Sequence, residues 1–249
     1  MVKICHVSDW HDCWGYLPKA DVYVVTGDML NNNPVVEHKF YTKNGLSYFD
    51  GFERTINHIE EERLQREWFD NEFKSKGKNL RHFLGSSDAP VVVVRGNHDF
   101  TDLGPMFGGD YFEINEDPTR TYKRCGLVFG GFRGINYIAG EWADEKTDEE
   151  MQWIIEDLPD GLDVVVSHVP PRGLLDEAFG CHYGSQPLTN YINKRLYDDS
   201  LHMPKLFCFG HVHSSYGKIE WLVEDGDTHD VVFSNASTNK MVIELEEQL

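Results

Sequence analysis

Five short stretches of this chain carry side chains that ligate metal ions: Asp9-Trp10-His11, Gly27-Asp28, Gly96-Asn97-His98-Asp99, His168, and Gly210-His211-Val212-His213. Taken singly, each is commonplace. Asp-x-His arises by chance, Gly-Asp marks turns, and a lone histidine after a strand usually serves structure. With His98 and Asp99 set aside, together they offer four histidines, two aspartates and one asparagine, each just after an apolar run. Ligands at strand ends converge on one edge of a sheet, where α/β proteins bind substrates. Imidazole, carboxylate and amide oxygen without thiolate suit Mn, Fe, Zn or Mg rather than Cu(I) or an iron–sulfur cluster; Mn is the first expectation, and Ni is also admitted. Seven donors exceed what one ion needs. They suit two divalent ions sharing a carboxylate, roughly 3.5–4 Å apart, a geometry used for displacement at phosphorus.

The elements that must position these residues are short strands at Val2–Val7, Val22–Thr26, Val91–Val94, Leu127–Gly130, Leu162–Ser167, Leu206–Phe209, Ile219–Val223, Asp230–Phe233 and Met241–Leu245. The unbroken valine runs at 91–94 and 164–166 are those of strands covered on both faces. Thr147-x-x-Glu150 is a capping box, Met151, Ile154, Ile155 and Leu158 follow at helical spacing, and Pro159-Asp160-Gly161 ends that helix. A second helix is expected between about 49 and 83, with Phe49, Phe52, Ile56 and Ile59 on one stripe and Leu64, Trp68 and Phe73 on a drifting continuation. Glu60-Glu61-Glu62 reads as its solvated face. Glu224-Asp225-Gly226-Asp227 between two strand-like runs reads as a hairpin. No repeat or linker divides the chain, so residues 1–249 are expected to form one domain with a helical insertion at about 44–88.

The formal charge of −19, from 42 acidic and 23 basic residues, repels polyanions, so long nucleic acids are not expected partners. A small phosphate ester is compatible, because bound cations reverse the sign locally. Five scattered cysteines without a C-x-x-C pair point to a reducing compartment, and the apolar start is too short for a secretion signal. No run approaches the length of a membrane span. The expectation is a cytoplasmic protein with no membrane partner; its oligomeric state is not legible. Asn235-Ala236-Ser237 matches a glycosylation acceptor, which that compartment makes improbable.

The order Asp-x-His, Gly-Asp, Gly-Asn-His-Asp, His, Gly-His-x-His resembles that of the calcineurin-like metallophosphoesterases. The pieces Ser8–His11, Ser167-His168-Val169-Pro170-Pro171, Gly210–Gly217 and Asn235–Thr238 resemble more specifically the metallophosphoesterase-domain phosphodiesterase branch, as does Cys181-His182-Tyr183-Gly184-Ser185. The resemblance implies a four-layer αββα sandwich and a phosphodiesterase acting on a small or accessible ester through a hydroxide bridging two ions. It implies Asp9, His11, Asp28 and His213 around one ion, and Asp28, Asn97, His168 and His211 around the other. His98 would donate to the leaving oxygen, oriented by Asp99, and Asn97 would touch substrate. Beside the resemblance, Arg172 is a candidate for a phosphate oxygen or a plain surface residue, and His182 a candidate for substrate contact or a structural turn. Trp10 and Trp142 are candidates for an apolar wall beside the leaving group, the alternative being a place in the core. The protein-phosphatase pattern Gly-Asp-x-x-Asp-Arg-Gly is absent, since this chain reads Gly27-Asp28-Met29-Leu30-Asn31-Asn32-Asn33; phosphoproteins are therefore disfavoured. A nuclease or phosphomonoesterase on the same site is the alternative, and a non-catalytic interaction module would have broken ligand blocks.

Overall fold

A computed structural model describes residues 1–11, 13–30, 58–138, 140–223 and 229–246. Eleven strands and three helices frame the site. They are β1 (Val2–Val7), β2 (Val22–Val25), α1 (His58–Glu72), β3 (Val91–Val94), β4 (Tyr111–Ile114), β5 (Tyr122–Arg124), β6 (Leu127–Gly131), α2 (Asp148–Glu156), β7 (Val164–Val166), α3 (Gln186–Tyr197), β8 (Leu206–Phe209), β9 (Gly217–Val223), β10 (His229–Asn235) and β11 (Lys240–Leu245). A five-stranded sheet runs β11-β1-β2-β3-β4 and a six-stranded sheet runs β9-β10-β8-β7-β6-β5. β1 to β4 are mutually parallel, as are β10, β8, β7 and β6. Within these two sheets the described antiparallel strands are at edges: β11, β9 and β5.

Alternation along each strand builds the layers. Val2, Ile4, Val22, Val24, Val92 and Val94 face Leu127, Phe129, Val164, Val166, Leu206 and Val232 across the gap between sheets. The opposite faces carry Cys5, Tyr23, Val25, Val91 and Val93 towards Phe69, Phe73, Leu80 and Phe107. Likewise Val165, Phe207, Phe209 and Phe233 meet Met151, Ile155, Leu188 and Ile192 of α2 and α3. The result is the αββα sandwich, with strands apolar on both faces because both faces are covered. Fully burying such a side chain contributes about 1.5–3 kcal/mol.

Thr147 and Glu150 form the expected capping box at the start of α2. The described part of the long helical stretch differs from expectation. α1 ends at Glu72 and short 3₁₀ turns follow at Lys74–Lys76 and Leu80–Phe83. Phe49, Phe52 and Ile56 lie outside the described residues, as do Asn31–Asn33 and the Glu224–Asp227 turn. Ile59 is exposed, and the buried face of α1 carries Glu61, Gln65 and Phe69. Glu61 thus leaves the solvated run, whereas Glu60 and Glu62 pair with Arg63 and Arg66 on the surface. Polar residues line the buried face because part of it meets backbone of the Gly96–Phe100 loop rather than side chains of a core. β4 and β5 had no clear signal: their residues alternate or stay exposed at the sheet edge.

Candidate metal centre

The strand ends place all the ligand-type side chains of the five blocks at one edge of the two sheets. Asp9 and His11 follow β1, Asp28 follows β2, Asn97 and His98 follow β3, His168 follows β7, and His211 and His213 follow β8. Candidate ligand atoms of Asp9, His11 and His213 lie within 4.8 Å of one another, and so do those of Asp28, His168 and His211. Asn97 Oδ1 joins the second group, 3.1 Å from His168 Nε2 and 2.9 Å from His211 Nδ1.

The backbone is bent to bring them there. Asp9, His11, Asp28 and His211 all adopt left-handed φ, at 55°, 41°, 51° and 70°. For residues with a Cβ such a conformation costs of order 1–3 kcal/mol and persists only where the surroundings impose it. Glycine is required beside two of them: a Cβ on Gly96 would overlap Asp28 Oδ1, and one on Gly210 would overlap Ser8 Oγ and Asp9 Oδ2.

Charge and hydrogen bonding orient the set. Asp9 and Asp28 are buried. Burial alone would raise the Asp28 pKa, but the imidazoles of His168, His98 and His11 hold it well below the carboxylate range. Reciprocally, burial opposes the charged form of His168, yet Asp28 at 3.3 Å raises its pKa to about 10. His211, buried beside His168, is pushed down to about 4. His168 Nδ1 donates to Thr26 O at 2.5 Å, leaving Nε2 to face Asp28 and Asn97; this is how an outer partner fixes the ligating nitrogen. Asp9 Oδ2 accepts from His211 N at 3.0 Å and from Ser237 Oγ at 2.9 Å. His213 Nε2 lies 3.1 Å from Asp9 Oδ1. Among the described residues no Lys or Arg pairs with Asp9 or Asp28, whose ionic partners are all imidazoles. Two buried carboxylates surrounded by imidazoles and an amide oxygen fit a pair of divalent cations by donor chemistry.

Other expected site residues part company. Asp99 does not orient the His98 ring. Its buried carboxylate accepts four backbone amides instead: Asp28 N at 2.6 Å, Gly96 N at 2.9 Å, Met29 N at 3.1 Å and Leu30 N at 3.2 Å. Burial and the Asp28 charge push its pKa up to about 7, against the pull of the Gly96 and Leu30 amides. Asp99 is thus a staple joining the Asp28 and Asn97 loops. His182 Nδ1 pairs with Asp176 Oδ1 at 2.8 Å, in a two-stranded hairpin whose Glu177 is bonded to Ser214 and Ser215 beside His213. Arg172 is exposed. Trp10 belongs to the core beneath the five-stranded sheet, whereas Trp142 sets its ring 4.6 Å from that of His98. Asn235 is buried, its amide spent on Leu175 O, Val212 O and Ser237 N, which removes it as a glycan acceptor in this fold.

Several supporting contacts have no signal in the sequence. His6 spans the two sheets, bonding Ser234 Oγ at 2.8 Å and Thr26 Oγ1 at 2.9 Å, and burial holds it neutral with a pKa of about 3. Arg95 makes a bidentate pair with Asp144 at 2.6 and 3.1 Å, and Arg133 Nε sits 2.8 Å from the same carboxylate. The adjoining Ala143 N donates to Asn97 O at 3.0 Å. Glu145 accepts the amides of Ile138, Gly140, Glu141 and Trp142, shaping the loop that carries Trp142. None of these has a local signature, because each contact joins segments far apart in the chain or folds a loop on itself.

A four-layer αββα sandwich with two clusters of Asp, His and Asn at one strand edge defines a metallophosphoesterase. The calcineurin-like phosphoesterase family matches residues 2–215, and the chain belongs to it; its members are metal-dependent phosphoester hydrolases. The chain is 32% identical over 205 residues to metallophosphoesterase domain-containing protein 1 of Homo sapiens, and equally to that of Mus musculus. These alignments cover 66% of this chain and 56% of each relative, so the chain spans little more than half their length. A solved structure aligned over 94% of this chain and 90% of its own, with a TM-score of 0.54 and 16% identity, shares the fold.

Proposed function

We propose that the chain is a dinuclear metal-dependent phosphodiesterase acting on a small or accessible phosphate ester. The observation that carries this reading is the pair of ligand clusters, built around Asp9 and Asp28 and held by strained backbone at four ligands. One ion would take Asp9, His11, Asp28 and His213, the other Asp28, Asn97, His168 and His211, with Mn favoured and Fe, Zn, Mg or Ni admissible. Two such ions activate water and offset charge on a phosphoryl group. The chain's own residues orient the ligands, exclude water from one side, and place the His98 imidazole at the edge of the site as donor to the leaving oxygen.

The acidic surface and free cysteines support a small substrate and a reducing, cytoplasmic setting; among the described residues no helix is long and apolar enough to cross a membrane. Metal analysis of the purified chain, together with assays on a cyclic nucleotide, an aryl phosphodiester, a phosphomonoester and single-stranded oligonucleotides, tests the reading. Two ions per chain and preference for a small diester are expected. Absence of bound metal, or preference for oligonucleotides with steep salt dependence, would overturn it in favour of an interaction module or a nuclease respectively.

A further inference from the structure

Among the described residues no side chain hydrogen-bonds the ring of His98. There its Nδ1 is buried without a partner, and its Nε2 lies 3.7 Å from Asp28 Oδ2, beyond hydrogen-bond reach. Among those residues the imidazole is aimed by neighbouring rings and by its own backbone. The rings are those of Trp142 at 4.6 Å and His11 at 5.1 Å. The backbone is gripped from two sides. Asp28 Oδ1 accepts from His98 N at 2.8 Å. On the other side stands Gln65, whose Nε2 donates to His98 O at 2.6 Å and whose Oε1 accepts from Phe100 N at 2.7 Å.

Gln65 is 1% exposed, and a buried amide is costly unless its donor and acceptor are used. Here both are used on one loop, bracketing His98 and Asp99. The residue belongs to α1, which lies inside the stretch read from sequence as an insertion. One helical turn further on, Phe69 enters the core under the five-stranded sheet, followed by Phe73 just beyond the helix. The segment is therefore anchored at one end and holds the catalytic loop at the other.

We infer that Gln65 is a positioning residue for the reaction proposed above: it transmits the fixed placement of α1 to the His98 loop and so aims the imidazole at the leaving oxygen. The inference rests on the phosphoesterase reading. It explains why the buried face of α1 is polar at Glu61 and Gln65, ahead of the apolar Phe69.

The test uses the full chain loaded with Mn²⁺ and two diesters, one releasing 4-nitrophenolate and one releasing a simple alkoxide. Gln65→Ala should keep the native metal content and lower kcat on the alkoxide substrate about tenfold or more, against about threefold or less on the nitrophenyl one, since a good leaving group needs little proton donation. In a His98→Ala background the same substitution should cost nothing further, because its effect passes through the missing ring. Gln65→Glu keeps the acceptor for Phe100 N and loses the donor to His98 O. It should fall between native and Gln65→Ala, and it carries the test if the alanine variant does not fold. Equal losses on both substrates, no loss, or an undiminished loss in the His98→Ala background would make Gln65 merely structural. A native chain that hydrolyses neither diester would overturn the phosphoesterase reading itself, and this inference with it.

Discussion

The two ligand clusters are neighbours with different surroundings. Around Asp28 three of the four candidate ligands are closed off: Asp28, Asn97 and His168 are 1%, 3% and 0% exposed, while His211 is half-buried. Their outer partners are backbone carbonyls and amides. Around Asp9 the cluster opens outward, since the His213 side chain is 48% exposed and sits in a 3₁₀ turn beside the Cys181–His182 hairpin. The difference teaches that the site is half prebuilt and half accessible. On that contrast, the buried cluster is expected to keep its geometry without an occupant and the open one to exchange an ion more readily.

The strongest way to break the comparison is to remove the carboxylate assigned to both clusters. Asp28→Asn should abolish binding of both ions and lower kcat/KM about a thousandfold or more, as read by metal analysis and steady-state hydrolysis. Retention of one tightly held ion would show that the clusters do not share Asp28. Next, His213→Ala should lose one ion per chain and keep the other, with activity down about a hundredfold. Titration with a chelator should correspondingly empty the Asp9 cluster of the native chain first; simultaneous loss of both ions would erase the asymmetry.

Asp99→Asn tests the staple under the buried half. It converts an acceptor of four amides into a group with one acceptor atom, and should cost about 3 kcal/mol of stability by denaturant unfolding. A change below about 1 kcal/mol would mean that the loops hold themselves.

A pH experiment sharpens the same contrast. Without ions, the Asp28 charge holds the His168 pKa at about 10, above the ordinary imidazole value of about 6.5. The folded chain then keeps a proton that the unfolded chain releases. This contribution is complete below about pH 6.5 and is lost as pH rises through about 10. Chelated protein should therefore show a falling Tm on alkalisation, less so in His168→Gln. Bound ions replace that proton, so metal affinity should rise with pH instead. The smallest effect is expected from Ser237→Ala, which removes one hydroxyl from Asp9 Oδ2 and should weaken metal binding about tenfold by isothermal titration.

Much of the fold was legible because strands covered on both faces must be apolar throughout, and the valine runs at 91–94 and 164–166 could hardly be otherwise. The capping box of α2 was equally local, since donor and acceptor lie three residues apart. α1 misled for a physical reason. Glu61 was read with the solvated face, but it and Gln65 lie on the buried face, ahead of the apolar Phe69. Ile59, placed on the stripe, points to solvent. Likewise Asp99, adjacent to His98 in sequence, turns its carboxylate towards loops 27–30 and 96 rather than towards its neighbour.

The sequence by itself determined which donors exist and that they follow strands, because residue type and hydrophobic periodicity are properties of short windows. It also determined their order, which carries the family. Only the tertiary structure decided the grouping into a closed cluster and an open one, and the capture of the His98 loop by Gln65. It also turned His6, Asp144 and Ser237 into supports. Those depend on which distant backbone passes within about 3 Å of a side chain, and that distance is set by the packing of two sheets against each other.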